Sequence, residues 1–330
     1  MIAVDQMERS GLAQDDGDIA RLLHPVSPER LLQEFWGKKP LHISGVPSRF
    51  AQIFGRDRFD AAIARAHAAG ADPSFAVCCF TQDFDGAWTC SEAIDPDQVE
   101  SLVAANRTIC VRNIAAGDEA LLRFGKNFAA HLHLMGTVGF NAYLSGEASG
   151  ADMHFDRSIT CALQLEGRKK WRYARSCAVP WPPGNGRMQA DGTPIYAAPW
   201  FGHDGWDTIP RGEFETDEVV LEPGDWLILP AGTWHEAKAV GHSLALNMLF
   251  SPWPLQNLVF AALQKHFEAD AAWRGGVPGD IGIGAQRSPG LEAYLAARIA
   301  DLRNALEAPL FLGRLKEACA DFAESNQTGE

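Results

Sequence analysis

The chain has 330 residues, with 29 Lys+Arg against 42 Asp+Glu and a formal net charge of −13. Its 46% hydrophobic and 22% charged content excludes a disordered chain, and at roughly 150 residues per domain the length allows two domains. No apolar run reaches the ~18 residues a membrane span needs, and the acidic balance disfavours non-specific nucleic-acid binding and suits a basic partner.

The first residues, MIAVDQMERSGLAQDDGD, are acidic and polar, unlike a secretory signal, and 1–20 reads as a flexible tail. Residues 21–136 read as a helical and strand region. Ser27-Pro28 supplies an N-cap and a first-turn proline for a helix carrying Leu31, Leu32, Phe35 and Trp36, which Gly37 ends. A strand follows at Pro40–Ile43, then a helix at Arg58–Ala69. Asp95-Pro96-Asp97-Gln98 starts a third helix. A fourth begins near Asp118, with Leu121, Phe124, Phe128, Leu132 and Met135 on one face.

From 137 to 250 the period changes. Thr137–Leu144, His154–Glu166, Lys169–Tyr173, Glu218–Leu221, Trp226–Leu229 and Ser243–Phe250 read as strands, with turn signals at Gly167 and Pro223-Gly224-Asp225. Strands without alternating helices predict an antiparallel sandwich or barrel. A long insert, 175–215, interrupts them, and its Trp181, Trp200, Phe201 and Trp206 favour an ordered loop. Residues 251–330 return to three helices, the second carrying Leu295, Ile299 and Leu302. The seven cysteines are an odd number scattered along the chain, which argues for reduced thiols in a cytoplasmic protein, and the lack of a CxxC pair argues against a zinc site.

His154-Phe155-Asp156 carries the chemistry. On a strand, residues i and i+2 share a face, so His154 and Asp156 project together. His235 follows a later strand in LPAGTWH. Two imidazoles and a carboxylate on one face of a metal leave open positions opposite, as in non-haem Fe(II) oxygenases. On the tripeptide alone, a His–Asp hydrogen bond inside a core is the plainer reading. His131 and His133 lie ~200° apart on a helix and cannot chelate one ion from one face. His203 and His242 have no matching carboxylate, and His42 reads as packing.

The segments ADMHFDRSITCALQLEGRKKWRY (151–173), VVLEPGDWLILPAGTWHEAKAVGHSLALNMLF (219–250) and FWGKKPLHI (35–43) resemble the JmjC/cupin-like Fe(II)- and 2-oxoglutarate-dependent oxygenases, in particular the ribosomal-oxygenase-type branch. The resemblance covers roughly residues 20–255. It implies a mainly β fold with flanking helices, built on a double-stranded β-helix core, with His154, Asp156 and His235 at the metal positions. No further catalytic residue is implied. Strand alternation puts Lys169 on the face of Trp171 and Tyr173, with Arg168, Lys170 and Arg172 on the other. Lys169 also falls where the family binds the distal carboxylate of 2-oxoglutarate. Asn141 and Tyr143 match polar positions beside the cosubstrate, though core hydrogen bonding suits them equally. Asn247 shares a face with Ser243 and Ala245 and is a further pocket candidate, and Thr160 and Gln164 share the parity of His154 unless a bulge intervenes.

The expected activity is hydroxylation of a C–H bond with Fe(II), 2-oxoglutarate and O2, giving succinate and CO2. The expected substrate is a protein or peptide side chain, a basic one by charge; a free amino acid or a tRNA base are other classes. Where that branch continues into a winged-helix region, 251–330 read as helices that pair in a homodimer or cap the barrel. Two alternatives stand: a cupin-like metal-dependent isomerase or lyase, and a non-catalytic JmjC-like binding module.

Overall fold

The computed structural model describes residues 16–70, 77–80, 94–196, 214–276 and 289–328. It divides into two units, Met1–Pro252 and Trp253–Glu330.

In the first unit α1 spans Asp16–Leu23 and buries Ile19, Leu22 and Leu23, so the helix begins inside what reads as a tail. Ser27 caps α2 (Pro28–Arg30) by accepting from the Arg30 amide at 3.2 Å, and a π-helical turn, Leu31–Phe35, continues it. Then come β1 (Leu41–Ile43), α3 (Arg56–Ala69), β2 (Val77–Phe80), α4 (Val99–Ala104) and β3 (Thr108–Val111). Asp118 caps α5 (Glu119–His131), accepting from the Leu121 amide at 3.1 Å. Leu121 and Phe128 are buried as the spacing predicts, but the helix stops before Met135, which is exposed. Gly125 sits in α5 because a Cβ there would lie 3.0 Å from the Phe140 ring. The helix is thereby allowed close to the sheet.

The remaining strands are β4 (Gly136–Ser145), β5 (Gly150–Phe155), β6 (Ile159–Ala174), β7 (Gly186–Met188), β8 (Pro194–Tyr196), β9 (Thr216–Leu221), β10 (Trp226–Leu229) and β11 (His235–Pro252). Two strands are far longer than the sequence suggests. Gly167 does not close a hairpin between two short strands. It bends one continuous strand, β6, at φ +62°, where a Cβ would meet the His242 carbonyl at 1.9 Å. β11 bends beside it, with register shifts between Val240 and Ser243.

These two bent strands pair along both their halves and organise the sheet. One half carries β1-β10-β6-β11-β4-β3-β2. The other carries β9 on β6, and β5, β7 and β8 beyond β11. This is the double-stranded β-helix with flanking helices. The outer face of the first half, including Phe140, Leu246, Phe250 and Trp226, buries against the N-terminal helices in one apolar cluster with Trp36, Phe50 and Phe128. Its inner face carries Asn141, Tyr143, Ser145, Thr160 and Asn247 instead, as alternation requires.

The insert is not one irregular loop. It opens with the β7–β8 hairpin, which extends the sheet beyond β5. Trp181 stands 51% exposed; Trp200, Phe201 and Trp206 lie outside the described residues.

In the second unit, α6 (Leu255–Ala269) and α7 (Ala271–Arg274) precede α8 (Pro289–Glu307) and α9 (Pro309–Thr328). α6 and α9 pack together, burying Leu258, Ala262, Phe311 and Ala318, with Lys265 paired to Asp321 at 2.7 Å. No helix among the described residues is long and apolar enough to cross a membrane.

Candidate metal centre

β5 and β11 run antiparallel with His154 directly opposite His235. Opposed residues share a face, so the two imidazoles meet, their centroids 4.2 Å apart. β5 ends at Phe155, and Asp156 turns its carboxylate back on the pair. Its Oδ2 lies 3.9 Å from His154 Nε2 and 3.7 Å from His235 Nε2. One ligand atom from each residue falls within 4.8 Å of the others.

The donor set is prepared for a metal rather than for a His–Asp hydrogen bond, since both separations exceed hydrogen-bond reach. His154 Nδ1 lies 2.7 Å from the Asp152 carbonyl and His235 Nδ1 lies 2.8 Å from the Thr233 carbonyl. A carbonyl only accepts, so each Nδ1 holds the proton and each Nε2 turns a lone pair toward the shared space. Burial, with His154 beside it, pushes His235 down to about 4 against the opposing pull of Asp156, which keeps its imidazole neutral near pH 7. Thr160 donates to Asp156 Oδ2 at 3.1 Å and fixes the carboxylate.

The centre opens into a cavity of about 340 Å³ lined from both halves of the sheet. Lys169 lines it near the strand bend, buried at 4% exposure. Its Nζ donates to Ser145 Oγ at 3.3 Å and lies 5.4 Å from the Tyr143 ring centroid. No carboxylate pairs with it among the described residues, and burial lowers its pKa to about 8. Arg168 and Lys170 are exposed, so the alternation argument holds.

Asn141, Tyr143 and Asn247 all line the same cavity. Asn141 accepts from the Asn113 amide at 3.0 Å, and burial pushes the Tyr143 phenol well above its ordinary range. Asn247 Oδ1 is buried with no hydrogen-bond partner among the described residues. A buried ammonium without a counter-ion in this cavity fits an anionic ligand beside the metal.

Residues 123–258 match the JmjC domain family. This segment is a JmjC domain. The chain is 25% identical to the uncharacterized protein YxbC of Bacillus subtilis over 259 residues, 77% of this chain and 76% of that one. It is 26% identical to Ribosomal oxygenase 1 of Gallus gallus over 268 residues, 78% of this chain but only 41% of that longer protein. The fold resembles Escherichia coli YcfD, a ribosomal oxygenase solved with cobalt and 2-oxoglutarate, at TM-score 0.52 and 16% identity, covering 88% of this chain and 70% of that one. Across this segment the chain is similar to the JmjC domains of proteins named ribosomal oxygenases.

Other residues reach the cavity without having been singled out by sequence. Thr108 and Arg112 alternate along RTICVR, a signal that was present but belongs to a strand the hydrophobic pattern did not reveal. Asn185, Arg187 and Met188 enter from the insert hairpin. His42 is more than packing: its Nε2 lies 3.1 Å from Asp225 Oδ2. His133 falls beyond the end of α5 at φ +51°, so it shares no helix face with His131.

Proposed function

We propose that the protein is an Fe(II)- and 2-oxoglutarate-dependent oxygenase that hydroxylates a C–H bond of a protein or peptide side chain. The observation that carries this reading is the buried, unpaired Lys169 in the cavity that also holds the His154, Asp156 and His235 donors. A metal isomerase or lyase has no use for an ammonium there, and a binding module has no use for an intact donor set. The names of the relatives support the same class, and YcfD itself was solved with both a divalent metal and the cosubstrate.

In this reading Fe(II) sits between His154, Asp156 and His235, and the bound metal with 2-oxoglutarate supplies O2-dependent hydroxylation with succinate and CO2 as coproducts. Lys169 binds the distal carboxylate, and Ser145 and Tyr143 hold the ammonium in place. Lys169 lies opposite Ala239, four positions along β11 from His235, which is ~13 Å of strand at about 3.3 Å per residue. A lysine, a five-carbon diacid and an imidazole together cross such a span. Asn141 and Asn247 offer amide hydrogen bonds to the same ligand. Trp171, stacked on His235 with centroids 5.7 Å apart, shields the centre from water.

A homodimer through the C-terminal helices and a cytoplasmic location belong to the same proposal. Leu295 and Ile299 on α8 are exposed, as are Leu310 and Leu312 on α9, and Cys110, Cys161, Cys177 and Cys319 take part in no disulfide among the described residues. Leu302 is only half-exposed and contributes less than its neighbours.

The test is succinate formation by the Fe(II)-loaded protein, with His154→Ala, Asp156→Ala and His235→Ala alongside. Each substitution is expected to remove turnover and Mn(II) binding together. Full succinate production by His235→Ala removes the assignment.

A further inference from the structure

Ser145, the acceptor of the Lys169 ammonium, is the near end of a row of buried hydroxyls. It closes β4 and stands opposite Thr108 of β3. Thr108 Oγ1 donates to Ser145 Oγ at 2.9 Å and is hydrogen-bonded to Ser149 Oγ at 3.0 Å. Ser149 Oγ donates in turn to the Gly146 carbonyl at 2.9 Å. Each of the three residues is no more than 1% exposed, so the hydroxyls meet one another rather than solvent. On the opposite face of the same strands, Ile109 and Leu144 are apolar core.

The far end of the row is pinned by backbone. Ser149 ends the turn between β4 and β5, where the Gly146 amide donates to the Arg107 carbonyl at 3.0 Å. The Ala148 amide donates to the Ala239 carbonyl at 3.0 Å, and the Ala239 amide donates to the Ser149 carbonyl at 2.9 Å. Ala239 is the residue opposite Lys169 on β11. The row therefore starts at the lysine side chain and ends on the backbone beside the same lysine.

A lysine carries its charge on a flexible four-carbon stem, and left free its ammonium follows a carboxylate over several positions. Here Nζ rests between Ser145 Oγ and the Tyr143 ring. Ser145 keeps its place through Thr108, and Thr108 is braced by Ser149. Linked hydrogen bonds in a buried wall reinforce one another, and a partner left unsatisfied there is costly.

We propose that Thr108 and Ser149 are positioning residues, which fix Lys169 through Ser145 and thereby set the length of the 2-oxo diacid that the cavity accepts. An ammonium held in this way does not follow a distal carboxylate displaced by one methylene. The inference rests on the oxygenase reading and deepens it. Thr108 lines the cavity, whereas Ser149 is not among the lining residues and acts only through its neighbours.

The experiment is calorimetric titration of the Mn(II)-loaded protein, without O2, with 2-oxoglutarate and with 2-oxoadipate, which is one methylene longer. The unaltered protein is expected to prefer 2-oxoglutarate by at least tenfold. Thr108→Val and Ser149→Ala are each expected to weaken 2-oxoglutarate about tenfold, the scale of one hydrogen bond to a charged group, and to bring the two acids within about threefold of each other. Mn(II) affinity stays as in the unaltered protein, and Thr108→Ser, which restores the hydroxyl, restores the preference. Variants that keep the full preference overturn the proposal, as does a Thr108→Ser protein that behaves like Thr108→Val. A loss of Mn(II) affinity equal to the loss of 2-oxoglutarate affinity in both variants also overturns it, since the row would then support the whole site rather than the lysine. Failure of the unaltered protein to bind 2-oxoglutarate removes the oxygenase reading itself, whereas binding with unchanged variants removes this inference alone.

Discussion

The carbonyl of Asp156 accepts a hydrogen bond from the amide of Gly232 at 2.8 Å. This bond ties the turn after β5 to the loop that delivers His235, so two candidate ligands far apart in sequence are set by one contact. Gly232 has φ +76°, and a Cβ there would lie 1.8 Å from the Val179 carbonyl. Gly232→Ala is therefore expected to displace the loop and weaken Mn(II) binding by ~10–100-fold, the range for residues that orient ligands. Gly55→Ala, where a Cβ meets nothing within 4 Å, leaves the affinity unchanged. Electron paramagnetic resonance titration of Mn(II) reads both.

Lys169 and Lys170 are adjacent, yet their environments oppose each other. Lys170 pairs with Glu218 at 2.8 Å on the surface, so Lys170→Ala should stay within about 0.5 kcal/mol in stability and leave 2-oxoglutarate binding intact. Lys169→Met should abolish measurable 2-oxoglutarate binding, since breaking a buried pair from one side costs ~3–5 kcal/mol. The same substitution should raise the stability of the ligand-free protein, because it removes a buried charge without a counter-ion. Calorimetric binding and thermal melting check the two halves; equal effects of the two substitutions on binding would remove the strand-parity argument.

The lowered pKa of Lys169 gives a pH dependence of defined sign. Folded Lys169 loses its proton at about 8, whereas an unfolded lysine holds it to about 10.4. Between those values the unfolded chain binds more protons, so this residue makes stability rise with pH across the window and costs most below pH 8. A dicarboxylate favours the charged form, so its binding near pH 8.5 takes up a proton. Calorimetry in buffers of different ionisation enthalpy should show that uptake in the wild type near pH 8.5 and little of it at pH ~6.5, where Lys169 already carries its proton.

For the C-terminal helices, Ile299 is 67% exposed on α8, with Leu295 one turn away. If these residues join two copies, Ile299→Asp with Leu295→Asp should convert a dimer to a monomer in light scattering at micromolar concentration, because unpartnered carboxylates are not tolerated in an apolar interface. A monomeric mass for the unaltered protein would remove the dimer.

The convergence of the candidate metal-binding residues was legible because its signals are local. His154 and Asp156 are two residues apart, and Lys169 is placed by alternation with Trp171 and Tyr173 on one strand. Arg187 was not legible, because it reaches the cavity through a three-residue strand in a segment whose Gly and Pro content reads as loop. β3 was missed for another reason: buried on its outer face and polar within, it is too short for alternation to stand out. The length of β6 was hidden by Gly167, since a glycine that bends a strand and one that ends it look alike in sequence. The extent of α1 was hidden by acidic residues whose apolar partners lie in α5 and beyond.

The two bent strands also govern how material passes in and out. β6 and β11 are hydrogen-bonded to each other along both half-sheets, so the walls of the cavity cannot swing apart like the covers of a book without unzipping the longest ladder in the fold. Traffic is left to the rim, where β7 and β8 hang from β5 by a short pairing of their own. That hairpin carries Arg187 and Met188 into the cavity lining, so the most lightly held part of the wall is one that faces the cavity. Amide exchange should accordingly be fastest at Gly186–Met188 and slowest where β6 meets β11.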